Sequence, residues 1–261
     1  MFSNLRSIYI NDDRETVTCV LPTQYSIFSV NPFELKLSRD NFGFSLGSAV
    51  TCNGYQLIAF NGLPADPEFD TKQVCIFDNT KFSQDPKNSK ANPLIFRQSF
   101  AFHILSMRIT PELLIAAFHE HIEIWNHQTQ QPVQQFKTVL NVHAPCDVTS
   151  NYKLLSVAGR DIYSCILCTL QDRSPVQIRA ADETVSLVKF SNTPGLLATT
   201  SADGKVIRVF DISTFSQGNE LAPLCLGKFK RGNTASVIHS IDFSPTNHFM
   251  VIVSQNGTLH F

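Results

Sequence analysis

Two copies of one pattern constrain this chain more than any other feature of it. The first reads VKFSNTPGLLATTSADGKVIRVF over residues 188–210, and the second reads IDFSPTNHFMVIVSQNGTLHF over 241–261. They align without a gap at an offset of 53 residues, so that Phe190 falls on Phe243, Ser191 on Ser244, Ser201 on Ser254 and Gly204 on Gly257. Each copy is an alternating strand, a turn holding Pro or Asn, a second apolar strand, a Gly turn and a third strand. One such meander cannot bury both of its faces alone and must stack on neighbours, which is the outline of a β-propeller blade. Between the copies lies KFKRG at 228–232.

The rest of the chain is the same kind of material. Short apolar or alternating runs are expected as strands at 17–30 (two, around Pro22), 45–50, 55–60, 72–77, 94–102, 104–109, 113–118, 121–125, 133–139, 153–157, 161–170 and 176–179. Asn53-Gly54 is a strong type I′ hairpin signal between two of them. Residues 1–15 read as a polar lead-in, and 79–93, with two prolines and little to bury, as a surface loop. No stretch has sustained helical periodicity. At about 40 residues per blade, the 261 residues make roughly six blades. The expectation is one all-β domain spanning 1–261.

Composition narrows the function classes. The net charge is -1 and 16% of residues are charged, which gives no support to a general nucleic-acid binder. No apolar segment reaches transmembrane length and no secretory leader is evident, so a cytoplasmic setting is expected. The seven cysteines lie mostly in apolar runs, as small core hydrophobes do. Cys165 and Cys168 form a CxxC with no second pair or nearby histidine to complete a zinc site, and read as structural. His119, His121 and His127 are close in sequence but lack a carboxylate arrangement of catalytic form, and read as polar turn residues. There is no Gly-rich phosphate loop, HExxH or GxSxG, so neither an enzyme nor a cofactor is expected.

The KFKR segment has a chemistry of its own. Adjacent strand residues point to opposite faces. Lys230 and Arg231 can therefore serve two sites on the two sides of one blade edge. Arginine offers phosphate a planar fork and lysine a point charge. From 226 to 240 there are three Lys or Arg residues and no acidic one. Gly232 lets the chain turn away without a side chain over the site. The bland alternative is a solvated basic edge that discourages edge-to-edge pairing.

Over residues 180–261 the sequence resembles the PROPPIN family, seven-bladed WD40-like propellers that bind phosphoinositides and act in autophagy. The resemblance is carried by LLATTSADGKVIRVFD at 196–211, FKRG at 229–232 and the segment 235–261. It continues more faintly through YSIFSVNPFE at 25–34, KQVCIFD at 72–78 and HIEIWN at 121–126. The family signature is Phe-Arg-Arg-Gly, whose arginines enter two separate headgroup pockets. The resemblance implies Lys230, Ser201 and Arg208 for the first pocket, and Arg231, Ser240, Ser254, Thr258 and His260 for the second. From the residues alone, Arg208 could equally pair with Asp203 or Asp211.

Three departures stand out. Lys230 replaces the first signature arginine. Ala181 stands where the family has a histidine, and Lys205 where a threonine is usual. The chain also stops inside what resembles the sixth blade, without a seventh and without the long sixth-blade loop that in the family dips into the membrane. Whether it is a fragment or closes its ring differently is left open. The resemblance thus implies a seven-bladed-type WD40-like propeller with its last blade missing or incomplete. The implied ligand is phosphatidylinositol 3-phosphate, with the 3,5-bisphosphate second. The implied setting is peripheral attachment to preautophagosomal, endosomal or vacuolar membranes beside autophagy proteins. The competing class is a WD40-like protein-interaction scaffold that has lost lipid binding.

Overall fold

The computed structural model describes residues 4–11, 13–40, 42–64, 66–82, 92–171, 175–193, 195–216 and 223–261. The chain makes two compact units, the first of residues 1–116 with 123–134, the second of 117–122 with 135–261.

In the first unit, β1 (Ser7–Ile10), β2 (Thr16–Leu21), β3 (Gln24–Ser29) and β4 (Glu34–Asp40) form one antiparallel sheet in chain order. A second sheet holds β5 (Ala49–Cys52), β6 (Leu57–Asn61), β7 (Gln73–Asp78) and β8 (Leu94–Ser99), again in order. Most of a third follows, from β9 (Ser106–Ile109), β10 (Leu113–Ala117), β11 (His121–Asn126) and β12 (Gln131–Lys137). The middle strands of the second sheet are buried on both faces, which is what a blade between neighbours requires. Tyr25, Ile27, Ile58, Phe60, Phe69 and Phe77 form the core between the first two sheets. Each such side chain contributes about 1.5–3 kcal/mol by leaving water.

The second unit repeats the plan. β13 (Cys146–Val148), β14 (Leu154–Ala158), β15 (Ser164–Thr169) and β16 (Val176–Arg179) form one sheet. β17 (Val185–Phe190), β18 (Leu196–Ser201), β19 (Val206–Asp211) and β20 (Leu224–Lys230) form the next. The last is three-stranded: β21 (Ile238–Phe243), β22 (Met250–Ser254) and β23 (Leu259–His260). The paired repeats are therefore the inner strands of two successive blades. Leu154, Leu167, Val188 and Leu197 belong to the core between the first two of these sheets. Ala198, Ile207, Val209, Ile238, Ile241 and Ile252 fill the space between the second and third.

The structure adds strands that the sequence hid. Residues 1–15 are not only a lead-in, because β1 lies within them and pairs with β2. β4 also went unseen, since its exposed outer edge alternates charge with leucine and offers no apolar run. β13 has three residues, too few to show a period. At Asn53 and Gly54 both φ angles are positive, as the hairpin signal requires, but Cys52 pairs with Leu57, so the loop has four residues rather than two. Of the expected loop 79–93, Asn79–Lys81 forms a short 3-10 turn and 83–91 lies outside the described residues.

Candidate functional site

The site is organised by β20 and the two sheets of the second unit that flank it. Directly opposed residues of an antiparallel pair share a face. Arg208 stands opposite Thr199 on one side and Lys228 on the other, so all three share a face of the β17–β20 sheet. Lys230, opposite Val206, is two residues beyond Lys228 and lies on that face too. Phe229 stands opposite Ile207, on the face that packs toward β21–β23. Arg231 follows the alternation onto this second face. The register turns Lys230 and Arg231 to opposite sides of one edge.

On the first face, Arg208 is buried, and its Nη2 pairs with Asp182 Oδ1 at 2.5 Å. Arg179 Nη2 is 3.7 Å from the same oxygen. The Arg208 guanidinium holds the Asp182 carboxyl below the usual carboxylate range against partial burial, and Lys228 and Arg179 add to the effect. Neither acidic partner considered from the sequence is available to Arg208. Asp203 accepts from Ser201 Oγ at 2.6 Å and pairs with Lys205 at 3.5 Å, and Asp211 accepts from Ser213 N and Oγ at 2.8 and 2.6 Å. Burial works against ionisation of Asp203, but the Ser201 hydroxyl, the Lys205 amide and the Lys205 charge outweigh it and hold its pKa low. Ser201 is buried and spends its proton inside this turn. Where the family histidine would stand, Ala181 is buried.

On the second face, Arg231 donates from Nε to the Gly204 carbonyl at 2.7 Å and from Nη2 to the Thr234 carbonyl at 2.5 Å. Its backbone N–H donates to Lys205 O at 2.8 Å. The loop after it ties two turns together: Ser236 N donates to Asp203 O at 2.9 Å and Gln255 N to Val237 O at 2.8 Å. Three of the expected second-pocket residues meet in one hydrogen-bonded chain. Ser254 Oγ is 2.6 Å from Thr258 Oγ1, which is 3.0 Å from His260 Nε2, and Asn256 Oδ1 accepts from Ser254 Oγ at 2.9 Å. Ser240 is not among them. A bulge at His239 sets Ser240 opposite Val253, on the other face of β22 from Ser254. Gly232 has φ outside the left-handed region and an added Cβ would meet nothing within 4 Å, so the fold itself does not demand glycine there.

Sequence reasoning missed Arg179, Asp182 and Lys228 on the first face. The KFK alternation could have placed Lys228 beside Lys230, but nothing in RAAD, residues 179–182, shows that Asp182 meets Arg208 across the sheets. Elsewhere, His127 is buried with Nε2 3.1 Å from Thr110 O, and burial lowers its pKa. His121 stacks on Phe118. No group of three or more metal-ligating side chains occurs among the described residues, and none of the described helices is long and apolar enough to cross a membrane. All seven cysteines are free thiols, Cys165 and Cys168 buried among them.

Successive four-stranded antiparallel meanders, five of them followed by a three-stranded sixth among the described residues, define an all-β, WD40-like propeller fold. The structure of Hsv2 from Kluyveromyces lactis superposes with a TM-score of 0.79 at 18% identity, covering 98% of this chain and 73% of that one. In sequence, the chain is 23% identical over 253 residues to Autophagy-related protein 18 of Dictyostelium discoideum, covering 96% of this chain and 62% of that protein. It is 27% identical over 253 residues to Autophagy-related protein 21 of Schizosaccharomyces pombe, covering 96% of this chain and 68% of that protein. No family model matches. The chain is thus similar to propellers of the PROPPIN kind, with six sheets among its described residues, and it spans roughly two thirds of the length of the curated relatives it matches.

Proposed function

We propose that this chain is a non-enzymatic, membrane-associated propeller scaffold that captures phosphoinositide headgroups at the β20 edge. The preferred ligand is phosphatidylinositol 3-phosphate, with the 3,5-bisphosphate second, and the setting is autophagy at preautophagosomal, endosomal or vacuolar membranes. The observation that carries this is the pair of consecutive basic residues at the end of β20, Lys230 on the face that carries Arg208 and Arg231 on the other, seated on the Gly204 and Thr234 carbonyls. On the second face, Arg231 has donors beyond the two spent on carbonyls. The neighbouring β21–β23 sheet carries the chain Ser254, Thr258 and His260, whose hydroxyls and imidazole suit an inositol ring and its phosphate. A chain with net charge -1 and a local basic edge is suited to specific headgroup capture rather than bulk adhesion to anionic lipid. Two weak sites on one membrane would reinforce one another.

A second reading, a WD40-like protein-interaction scaffold without lipid binding, is favoured by the ion pair that Asp182 already makes with Arg208 on the first face. Liposome flotation separates the two. Purified chain should float with vesicles carrying phosphatidylinositol 3-phosphate, not with plain phosphatidylinositol, and Arg231→Ala should abolish most of the effect. Equal flotation on both membranes, or none by a folded chain, refutes headgroup capture.

A further inference from the structure

β20 is the outer strand of its sheet, with no described strand on its far edge, and it turns apolar side chains toward water. The outer strands β8, β12 and β16 instead bury Phe96, Phe136 and Ile178, and none of their large apolar side chains is exposed. In β20, Leu224 is 68% exposed, Leu226 55% and Phe229 53%. A bulge sets Cys225 opposite Phe210 and Gly227 opposite Val209, so Leu226 is the extra residue and has nothing opposite it. Single exposed apolar side chains are ordinary, but three along one short edge mark a contact surface. Charge indicates what covers it. No Asp or Glu occurs from 221 to 241, while Lys228, Lys230 and Arg231 follow the leucines. β4 exposes Leu35 in the same way, but between Glu34 and Lys36 and ahead of Arg39 and Asp40, whose charges cancel.

We propose that the outer edge of β20 is a membrane-contact strand. Leu224, Leu226 and Phe229 enter the boundary between headgroups and acyl chains of an anionic bilayer, and Lys228 and Lys230 stay among the phosphates. Leucine and phenylalanine beside lysine is the composition that suits this boundary, because lysine stems lie along apolar surface while their ammonium groups remain with the headgroups. Seven strand residues extend about 20 Å, so the anchor lies along the surface rather than across the bilayer. Its apolar part needs no particular headgroup and is not screened by salt, unlike the attraction of the lysines. The proposal rests on the membrane reading above for its setting, but it concerns apolar side chains that headgroup capture does not use.

The test is Leu226→Trp in the full chain, read against wild type, whose one tryptophan, Trp125, lies on β11. Vesicles contain phosphatidylcholine, phosphatidylserine and phosphatidylinositol 3-phosphate, with or without bromine on the acyl chains. The added tryptophan should shift to the blue on binding and be quenched by brominated chains, whereas Leu35→Trp on β4 should not. Leu224→Ser combined with Leu226→Ser changes positions that are already exposed, and thermal melting verifies that the fold is kept. It should weaken vesicle partitioning about tenfold, the effect of withdrawing roughly half the area of two leucines from an apolar phase, and the loss should persist at high salt. Unchanged partitioning of the double variant, a bound Leu226→Trp without quenching, or equal quenching of Leu35→Trp overturns the proposal. The two readings fail separately. Equal binding and quenching without the 3-phosphate reject headgroup capture and keep the membrane strand. Flotation that needs the 3-phosphate and Arg231 but shows no quenching rejects the strand alone. No flotation of folded protein on any vesicle rejects both.

Discussion

Gly204 is where the architecture of the site can be tested most sharply. It sits at φ +59°, and a Cβ added to it would overlap the Ser236 carbonyl oxygen and touch Ile238 Cγ1 at 3.2 Å. Its own carbonyl accepts from Arg231 Nε at 2.7 Å. Gly204→Ala therefore has two costs. The left-handed conformation costs an L-residue about 1–2 kcal/mol. Forcing an atom into a filled site costs about 1–3 kcal/mol more, here against backbone that is itself tied to Asp203. The sum is about 2–5 kcal/mol, a large part of a typical domain's stability. For a chain of this size it lowers the melting temperature by about 5–15 °C. Two companions isolate the parts. Gly257 has φ +78° with nothing within 4 Å, so Gly257→Ala should show the conformational cost alone. Gly232→Ala has neither and should be neutral or slightly stabilising. Thermal or urea unfolding of the three variants should rank them in that order. If Gly204→Ala melts within a degree or so of Gly257→Ala, the loop of residues 233–237 yields freely, and the close approach of Ser236 O to Gly204 does not constrain the site.

Two further outcomes are expected. Asp66 accepts backbone N–H bonds from Glu68, Ser45 and Phe69, which lower its pKa to about 2. Because the folded value lies below the unfolded one, its contribution to stability is fully present above the ordinary carboxylate pKa and is lost as pH falls from about 4 toward about 2. Asp66→Asn should lower the melting temperature at pH 7, and the gap to wild type should close in acid; a gap independent of pH would refute the assignment. Cys225 is exposed, whereas the other six cysteines are buried, with Cys75 and Cys165 pushed up to about 12 by burial. A thiol reagent should therefore modify one cysteine of the native chain quickly and all seven after denaturation, and rapid reaction of a second in the native state would contradict the packing.

The blade plan was legible because it rests on local rules. Alternation, apolar runs and Gly turns recur at an offset of 53 residues in 188–210 and 241–261, and those residues became β17–β19 and β21–β23. The opposite orientation of Lys230 and Arg231 was legible for the same reason, since it needs only the two-residue period of a strand. Edge strands such as β1 and β4 were not, because their few apolar residues, in SIYI and ELKLSRD, make runs too short to stand out from polar surroundings. The partners within the site lay further out of reach. Whether Ser240 or Ser254 faces His260 turns on one bulged residue, His239, and a one-residue shift moves every later side chain to the other face. Arg208 chose Asp182, 26 positions away, over nearer acids because stacking brings one sheet's connecting loop over the next sheet's face. A sequence specifies periods and turns along the chain, but which charges meet across neighbouring sheets is decided only when the sheets stack.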